Sequence, residues 1–256
     1  MIDISAIFSS FLQVWYIFPI IILVVFFKTP FGKGIVGEFL VNSATKLKLD
    51  KDKYRLIKNV TLPTENGTTQ IDHIIVSEYG VFVVETKNMQ GWIFGDEKQK
   101  FWTQKIYKHT NKFQNPLHQN YKHIKSIQNI FKIDQDKIFS VIVFIGDSKF
   151  KTNMPENVRQ GIGYIDYIKS KKEKIISKEE VSKIISQIES GMLNNSFKTH
   201  NDHVRHVKNI IKDKKNSCPR CSGKLVLRTA KKGANAGSQF YGCSNYPKCR
   251  YTTSSI

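Results

Sequence analysis

Two apolar runs, Gln70-Ile-Asp-His-Ile-Ile-Val76 and Val81-Phe-Val-Val-Glu-Thr-Lys87, are separated by only four residues, Ser77-Glu-Tyr-Gly80. Both runs are rich in β-branched residues, which are typical of strands. A four-residue connection that ends in glycine is typical of a β-hairpin. This stretch therefore predicts two antiparallel strands, and the rest of the domain is expected to assemble around them.

The hairpin brings two acids and a lysine to one end of an otherwise apolar pair of strands. A turn centred in the middle of the connection places residues whose numbers sum to 157 opposite each other, so Asp72 faces Glu85. Lys87 lies two residues beyond Glu85 and returns to the same sheet face. Like charges in an apolar setting are costly unless a counter-charge compensates them.

Asp72 and Glu85 suit a hard divalent cation, Mg²⁺ or Mn²⁺, which binds through oxygen and keeps water positions open. Lys87 would then position a water molecule or neutralise charge on a phosphate. A structural ion pair between Lys87 and one of the acids fits the same spacing, because acid–x–lysine is a short and common string.

The composition indicates an ordinary globular chain with an excess of basic residues. The 256 residues suffice for one substantial domain with appendages, and 40 Lys and Arg against 21 Asp and Glu give a net charge of +19. Such an excess predicts affinity for a polyanion, either nucleic acid or anionic lipid, without choosing between them.

The N-terminal segment from Ile4 to Phe27 contains no charged side chain and exceeds the roughly 20 residues that cross a bilayer. A cleaved signal peptide is the alternative, but a basic start and a small-x-small cleavage site are missing. Asp3 precedes the segment, whereas Lys28 and Lys33 follow it. The positive-inside rule therefore predicts a single-pass cell-membrane anchor, with the residues after 28 in the cytoplasm.

All four cysteines lie near the C-terminus, in Cys218-Pro-Arg-Cys221 and Cys243-Ser-Asn-Tyr-Pro-Lys-Cys249. Two such pairs in a cytoplasmic region favour a tetrahedral zinc site over disulfides. Zinc would supply the folding free energy that so short a segment cannot obtain from its own core.

The same region combines cations with aromatic rings, a composition typical of surfaces that bind single-stranded nucleic acid. The candidate nucleic-acid-binding residues are Arg220, Lys224, Arg228, Lys231, Lys232, Phe240, Tyr241 and Tyr246.

Helices and further strands surround the hairpin. A helix that opens at Gly34 has one apolar face, formed by Ile35, Phe39, Leu40, Ala44 and Leu47, and it carries Glu38 as a further candidate site acid or a simple helix-terminus carboxylate.

Downstream, Pro116 begins a helix that runs to about Phe131, and Gln119 on its first turns is either a site contact or solvated. The apolar run Ile138–Ile145 predicts a buried central strand, and residues 161–165 an edge strand. Ser177 caps a last helix. Strands mixed with helices predict an α/β sandwich of about 155 residues.

Residues 34–131 resemble the NERD (nuclease-related) domain, a branch of the restriction-endonuclease-like superfamily. The resemblance rests on Gly37-Glu38, Gln70–Val76, Gly80–Asn88 and Asn115-Pro-Leu-His-Gln-Asn120. It implies a mixed sheet flanked by helices, with Asp72, Glu85 and Lys87 in the metal and phosphate positions and Glu38 assisting. Cleavage and substrate do not follow from the fold.

Residues 218–252 resemble the C-terminal zinc ribbon of bacterial type I topoisomerases, through Cys-Pro-x-Cys, Gly223-x-Leu225, Phe240-x-Gly-Cys243 and Tyr246-Pro-x-Cys249. In that family the module binds single-stranded DNA. Nothing in this chain resembles the catalytic domains of a topoisomerase.

These patterns together predict an anchor at residues 1–28, a nuclease-like domain at 34–190, a basic linker at 191–216 and a zinc ribbon at 217–254. The leading hypothesis is a membrane-anchored, metal-dependent DNA-processing protein that binds DNA through its ribbon. The alternatives are a non-catalytic adaptor that tethers DNA to the membrane, and an enzyme directed at RNA.

Overall fold

The computed structural model describes residues 17–64, 67–193, 217–230 and 237–254. The chain divides into two compact units. The first takes in Met1–Thr64 and Thr69–Leu193, and the second Glu65–Thr68 and Asn194–Ile256.

The first unit alternates helices with strands. In chain order its described elements are α1 (Ile17–Lys28), α2 (Pro30–Lys48), β1 (Tyr54–Thr64), β2 (Gly67–Ser77), β3 (Gly80–Asn88), β4 (Gly91–Phe94), β5 (Phe101–Ile106), β6 (His109–Gln114), α3 (Pro116–Phe131), a 3₁₀ turn (Gln135–Lys137), β7 (Ile138–Ile145), β8 (Ser148–Phe150), β9 (Val158–Gln160), α4 (Gly163–Ser170) and α5 (Lys178–Gly191).

A five-stranded sheet in the order β1-β2-β3-β7-β9 forms the centre of this unit. Strands β2 and β3 are antiparallel and pair His73 with Val84 and Ser77 with Gly80, which is the predicted hairpin register. Strand β7 lies between β3 and β9 and is parallel to both. The predicted central position of the apolar run Ile138–Ile145 is therefore confirmed.

Helices cover both faces of this sheet, as predicted for a mixed α/β domain. Helices α3 and α5 bury Ile127 and Ile184 against Val83 on one face. Helices α2 and α4 pack around Phe82 and Ile168 on the other. Burying side chains of this size stabilises the fold by about 1.5–3 kcal/mol each.

Three details of the first unit differ from the sequence prediction or go beyond it. Helix α2 packs through Gly37, Val41 and Thr45, so Ile35, Phe39, Leu40 and Leu47 of its predicted apolar face are exposed and Ala44 alone packs against the core. The predicted edge strand at 161–165 is wrong. The edge strand is β9, which lies earlier in the chain and ends just before Gly161, a residue with φ +54°; helix α4 begins two residues later. Strands β4, β5, β6 and β8 form a second sheet, in the order β6-β5-β4-β8.

Within the described residues, no single helix is both long and apolar enough to cross a membrane. Helices α1 and α2 reach the required length and composition only as a pair, and they are bent by 79° at their junction. Residues 1–16 of the predicted anchor lie outside the described residues, so the single spanning helix stays a prediction.

The second unit contains a small antiparallel sheet in the order β10-β11-β12, with β10 at Leu225–Thr229, β11 at Gln239–Cys243 and β12 at Thr252–Thr253. Its core consists of Cys218, Cys243 and Cys249, with Leu225 and Tyr251 packed against them. Residues 194–216, which include most of the predicted linker, lie outside the described residues.

Candidate functional site

Asp72 bridges the two hairpin strands at the end of their ladder. The paired register runs from Ser77 and Gly80 at the turn to His73 and Val84, and beyond it the Thr86 N–H donates to Asp72 Oδ2 at 2.9 Å. One carboxylate oxygen of Asp72 is thereby held in place by the neighbouring strand.

Glu85 is almost completely buried, with 3% of its surface exposed, and it lies between Lys87 and His123. Lys87 Nζ donates to Glu85 Oε1 at 2.6 Å. His123 Nε2 lies 3.2 Å from Glu85 Oε2, and Thr69 Oγ1 contacts the other ring nitrogen of His123 at 2.9 Å. The buried carboxylate is thus compensated from two sides.

Helix α3 supplies two of these site contacts from adjacent turns. Gln119 Oε1 accepts from Lys87 Nζ at 2.9 Å, and His123 follows one turn later on the same helix face. Asn115 fixes the start of the helix, because its side chain accepts from Leu117 N and donates to three loop carbonyls. Asn120 donates to the Val83 carbonyl and so ties the helix to β3.

The surroundings of the site shift the pKa values of its three acids in different directions. Burial raises the pKa of Asp72 to about 8, helped by the charges of Glu85 and Glu38. Burial also raises the pKa of Glu38, with a further contribution from Glu85. Burial alone would raise the pKa of Glu85 too, but Lys87 and His123 together lower it. The surroundings therefore lower the pKa of Glu85, whereas they raise the pKa values of Asp72 and Glu38.

The four cysteines form a second potential metal centre. Their Sγ atoms all lie within 4.8 Å of one another, with Cys218 3.7 Å from Cys249 and Cys221 3.3 Å from Cys243. Four thiolates at such distances match a tetrahedral zinc site. Among the described residues, this is the one group of three or more Cys, His, Asp or Glu ligand atoms gathered to that distance.

Beside the cysteines, a groove is lined by Arg228, Phe240 and Tyr246, together with Arg250 and Tyr251. The Arg228 guanidinium lies over the exposed Tyr246 ring, 5.7 Å from its centroid. A cation and a ring in this arrangement offer a phosphate contact beside a stacking surface.

Two family models match the chain. Residues 33–145 match the model described as "Nuclease-related domain" (NERD). The chain contains a nuclease-related domain. Residues 215–255 match the model "Topoisomerase DNA binding C4 zinc finger", so the four-cysteine unit is a topoisomerase-type zinc ribbon.

Curated relatives match parts of the chain. An uncharacterized protein of Bacillus anthracis is 57% identical over 100 residues, which are 39% of this chain and 47% of the relative. DNA topoisomerase 1 of Methanocaldococcus jannaschii is 50% identical over 42 residues, 16% of this chain and 5% of the relative. DNA topoisomerase 1 of Helicobacter pylori is 29% identical over 137 residues, 51% of this chain and 15% of the relative. The chain spans less than half the length of these relatives, and no solved structure matches it.

In the nuclease-related domain, Lys87 contacts Glu85, and Glu85 and Glu38 are close enough to Asp72 for their charges to raise its pKa. Gln119 is a site contact rather than a solvated residue. The sequence analysis missed His123, although its position one turn after Gln119 was a usable signal.

In the zinc ribbon, Arg228, Phe240 and Tyr246 share the groove, whereas Tyr241 does not line it, because successive residues of β11 point to opposite faces. Arg220 and Lys224 are exposed, and Lys231 and Lys232 lie outside the described residues. Arg250 and Tyr251 line the groove without having been predicted.

Proposed function

We propose that the chain is a membrane-anchored nuclease that cleaves DNA with the help of Mg²⁺ or Mn²⁺ and binds DNA through its zinc ribbon. The nuclease-related domain and the DNA-binding zinc finger support nuclease-like DNA processing as the general class of function. The observation that carries the proposal is the buried, ionised Glu85 on β3 beside Asp72 and Lys87.

Carboxylate oxygens suit a hard cation. Asp72 and Glu85 offer them from adjacent strands, whereas Glu38 on helix α2 is not gathered with them as closely as the four cysteines are with one another. A bound Mg²⁺ or Mn²⁺ would lower the pKa of a water molecule and stabilise charge on a phosphate.

The other site residues prepare the reaction centre. Lys87 Nζ is held by Glu85 and Gln119, which leaves it one N–H for a phosphate oxygen or a water. His123 Nε2 lies 3.2 Å from the other carboxylate oxygen of Glu85, on the opposite side from Lys87. These side chains are anchored on a buried strand and a capped helix, so their positions are set before substrate arrives.

The test is cleavage of labelled single-stranded and duplex DNA by the purified full chain, with Mg²⁺, with Mn²⁺ and with no added divalent metal. We expect cleavage only with the metal. An RNA substrate of the same sequence distinguishes the RNA-directed alternative, and absence of cleavage of every substrate with either metal would contradict the enzyme proposal.

Exposed apolar side chains support the membrane part of the proposal. Within α1 the apolar residues from Ile17 to Phe27 are exposed on all sides. The outward face of α2 adds Phe31, Phe39 and Leu47, the last with 82% of its surface exposed. A continuous apolar surface of this kind followed by lysines is typical of a segment in contact with lipid.

A non-catalytic tether of DNA to the membrane is the second candidate. One observation favours it: Lys87 and His123 already compensate Glu85 without a metal ion. In that case the ribbon would bind DNA normally and the site variants would change only stability.

A further inference from the structure

The sheet β6-β5-β4-β8 has one buried face and one exposed face. Ile93 on β4 and Trp102 on β5 are fully buried, and Phe113 and Phe150 pack against the same cluster. Because side chains alternate along a strand, the neighbouring positions point to the opposite side. That opposite side carries exposed side chains on each of the four strands.

The exposed face carries aromatic rings and lysines in direct cross-strand register. Trp92 pairs with Lys105 on one side and with Lys149 on the other. The remaining outward positions of the paired strands are aromatic, lysine, threonine or glutamine, and none is acidic. We define the aromatic–lysine face by Trp92, Phe94, Phe101, Lys105, Lys112 and Lys149.

The rings of this face are accessible. Trp92 has 46% of its surface exposed and Phe101 has 50%. Lys151 and Lys105 lie over the Trp92 ring, with Nζ 4.6 and 5.9 Å from its centroid. The groove beside Trp92 is also lined by the exposed Tyr107 side chain at the β5–β6 turn, and by one acid, Asp147.

We propose that the aromatic–lysine face binds single-stranded nucleic acid. Unpaired bases stack on exposed aromatic rings, and ammonium groups pair with the phosphates between them. A base that stacks on Trp92 displaces a lysine ammonium from the ring toward the adjacent phosphate. A duplex offers no free base faces, and an apolar protein partner would leave the lysines unpaired, so neither suits this surface as well.

The position of the face in the chain connects it with the acidic site. Strand β4 begins at Gly91, four residues after Lys87, and β6 ends at Gln114, five residues before Gln119. Strands β4, β5 and β6 are thus inserted between two residues that contact each other in the site. The face is thereby a nucleic-acid surface additional to that of the ribbon.

Crosslinking tests this directly. The full chain, in detergent and without added Mg²⁺ or Mn²⁺, is irradiated with an oligonucleotide that carries iododeoxyuridine, and the crosslinked peptides are identified by mass spectrometry. We expect crosslinks in the peptides that contain Trp92 and Phe101. Crosslinks confined to the ribbon would overturn the proposal, and because no cleavage is involved, this result is independent of the nuclease proposal.

Affinity measurements with matched variants give a second criterion. Trp92→Ala should weaken binding of an oligo-dT strand by about 5- to 150-fold, the effect of removing the stacking surface for one base. Phe39→Ala removes a comparably exposed ring from α2 and should leave affinity unchanged. Equal affinities for both variants, or duplex bound as tightly as the single strand, would contradict stacking.

The lysines are tested through salt dependence. Lys105→Gln combined with Lys149→Gln should reduce the slope of log affinity against log salt by about 0.7 for each phosphate that is no longer neutralised. Lys178→Gln combined with Lys183→Gln makes the same change in net charge on helix α5. An identical slope in the two double variants would exclude phosphate binding at the face.

Discussion

Glu85 and Asp72 are adjacent carboxylates whose surroundings push their pKa values in opposite directions. Lys87 and His123 keep Glu85 ionised although it is buried. At Asp72 the hydrogen bond from the Thr86 N–H and the charge of Lys87 lower the pKa less than burial raises it, so the pKa is raised to about 8. Neighbouring titratable groups whose pKa values are shifted apart are common at active sites, although structural ion pairs produce such shifts too.

The shift of Asp72 makes the stability of the metal-free protein depend on pH. Its carboxyl pKa changes from the usual 3.8 to about 8 on folding, so between these values the folded chain keeps a proton that the unfolded chain has lost. This stabilisation is complete at low pH and disappears as the pH rises through about 8. Asp72→Asn should therefore raise the melting temperature relative to wild type, and increasingly so from pH 5 to pH 9.

Thermal melts of both proteins at several pH values, without divalent metal, check this expectation. Asp136→Asn replaces an exposed acid and serves as the control. A difference between Asp72→Asn and wild type that stays constant with pH would show that the carboxyl is not buried as described.

Among the elements, helix α2 shows most clearly what the sequence reveals and what it does not. The hairpin register, the capped starts of α3 and α5 and the buried strand β7 were predictable, because each follows from local pattern and turn chemistry. The buried face of α2 was not, because the helix approaches β3 through Gly37 and leaves its larger apolar residues outside.

The contact of His123 with Glu85 was missed for a related reason. It joins residues 38 positions apart in the chain, across elements whose relative placement local patterns do not specify. Likewise, β6 and β8 are short and polar, so their sequences lack the apolar alternation that identifies a strand.

Gly37 controls the distance between helix α2 and the site. A Cβ atom at this position would lie 3.1 Å from Asn88 Cβ and 3.4 Å from Thr86 Cγ2. Gly37→Leu should lower the free energy of unfolding by about 1–3 kcal/mol through overpacking, and should move Glu38 away from Asp72. Urea denaturation measures the first effect.

Gly34 provides the matched control on the same helix. A Cβ atom there meets nothing within 4 Å, so Gly34→Ala should stabilise the helix by up to about 1 kcal/mol. Equal effects of the two substitutions would show that α2 does not pack closely on β3.

At the scale of the whole molecule, membrane contact is proposed for the N-terminal segment, chemistry for the nuclease-related domain, and DNA binding for the zinc ribbon and the aromatic–lysine face. The net charge of +19 suits both anionic lipid and nucleic acid, so each partner has to be tested by a variant that leaves the other unaffected.

The apolar N-terminal segment predicts how the protein fractionates. The full chain should sediment with membranes and remain there at high salt, because burial of apolar residues does not weaken with ionic strength as charge pairing does. A shortened chain that begins at Thr29 should be soluble or released by salt. Release of the full chain by salt alone would argue against the anchor, and digestion of the ribbon by protease outside intact cells would reverse the proposed topology.

The zinc ribbon predicts an effect on affinity without an effect on the chemical step. Cys218→Ser together with Cys221→Ser should abolish binding of one zinc ion and unfold the small unit, since its core consists largely of the cysteines. The DNA concentration needed for half-maximal cleavage should rise, while the metal-dependent rate at saturation persists. Zinc analysis and cleavage kinetics measure the two effects, and a ribbon that binds zinc but no nucleic acid would indicate a protein partner instead.

The most direct test of the central claim is DNA cleavage by Asp72→Asn and Glu85→Gln, each of which replaces a carboxyl group with an amide of nearly the same volume. With Mg²⁺ or Mn²⁺ present, we expect the cleavage rate of each variant to fall by more than about 100-fold while circular dichroism shows an intact fold. Glu173→Gln, at an exposed acid that is not part of the site, should cleave at the wild-type rate. If both site variants cleaved DNA as fast as wild type, Asp72 and Glu85 would not form the catalytic site.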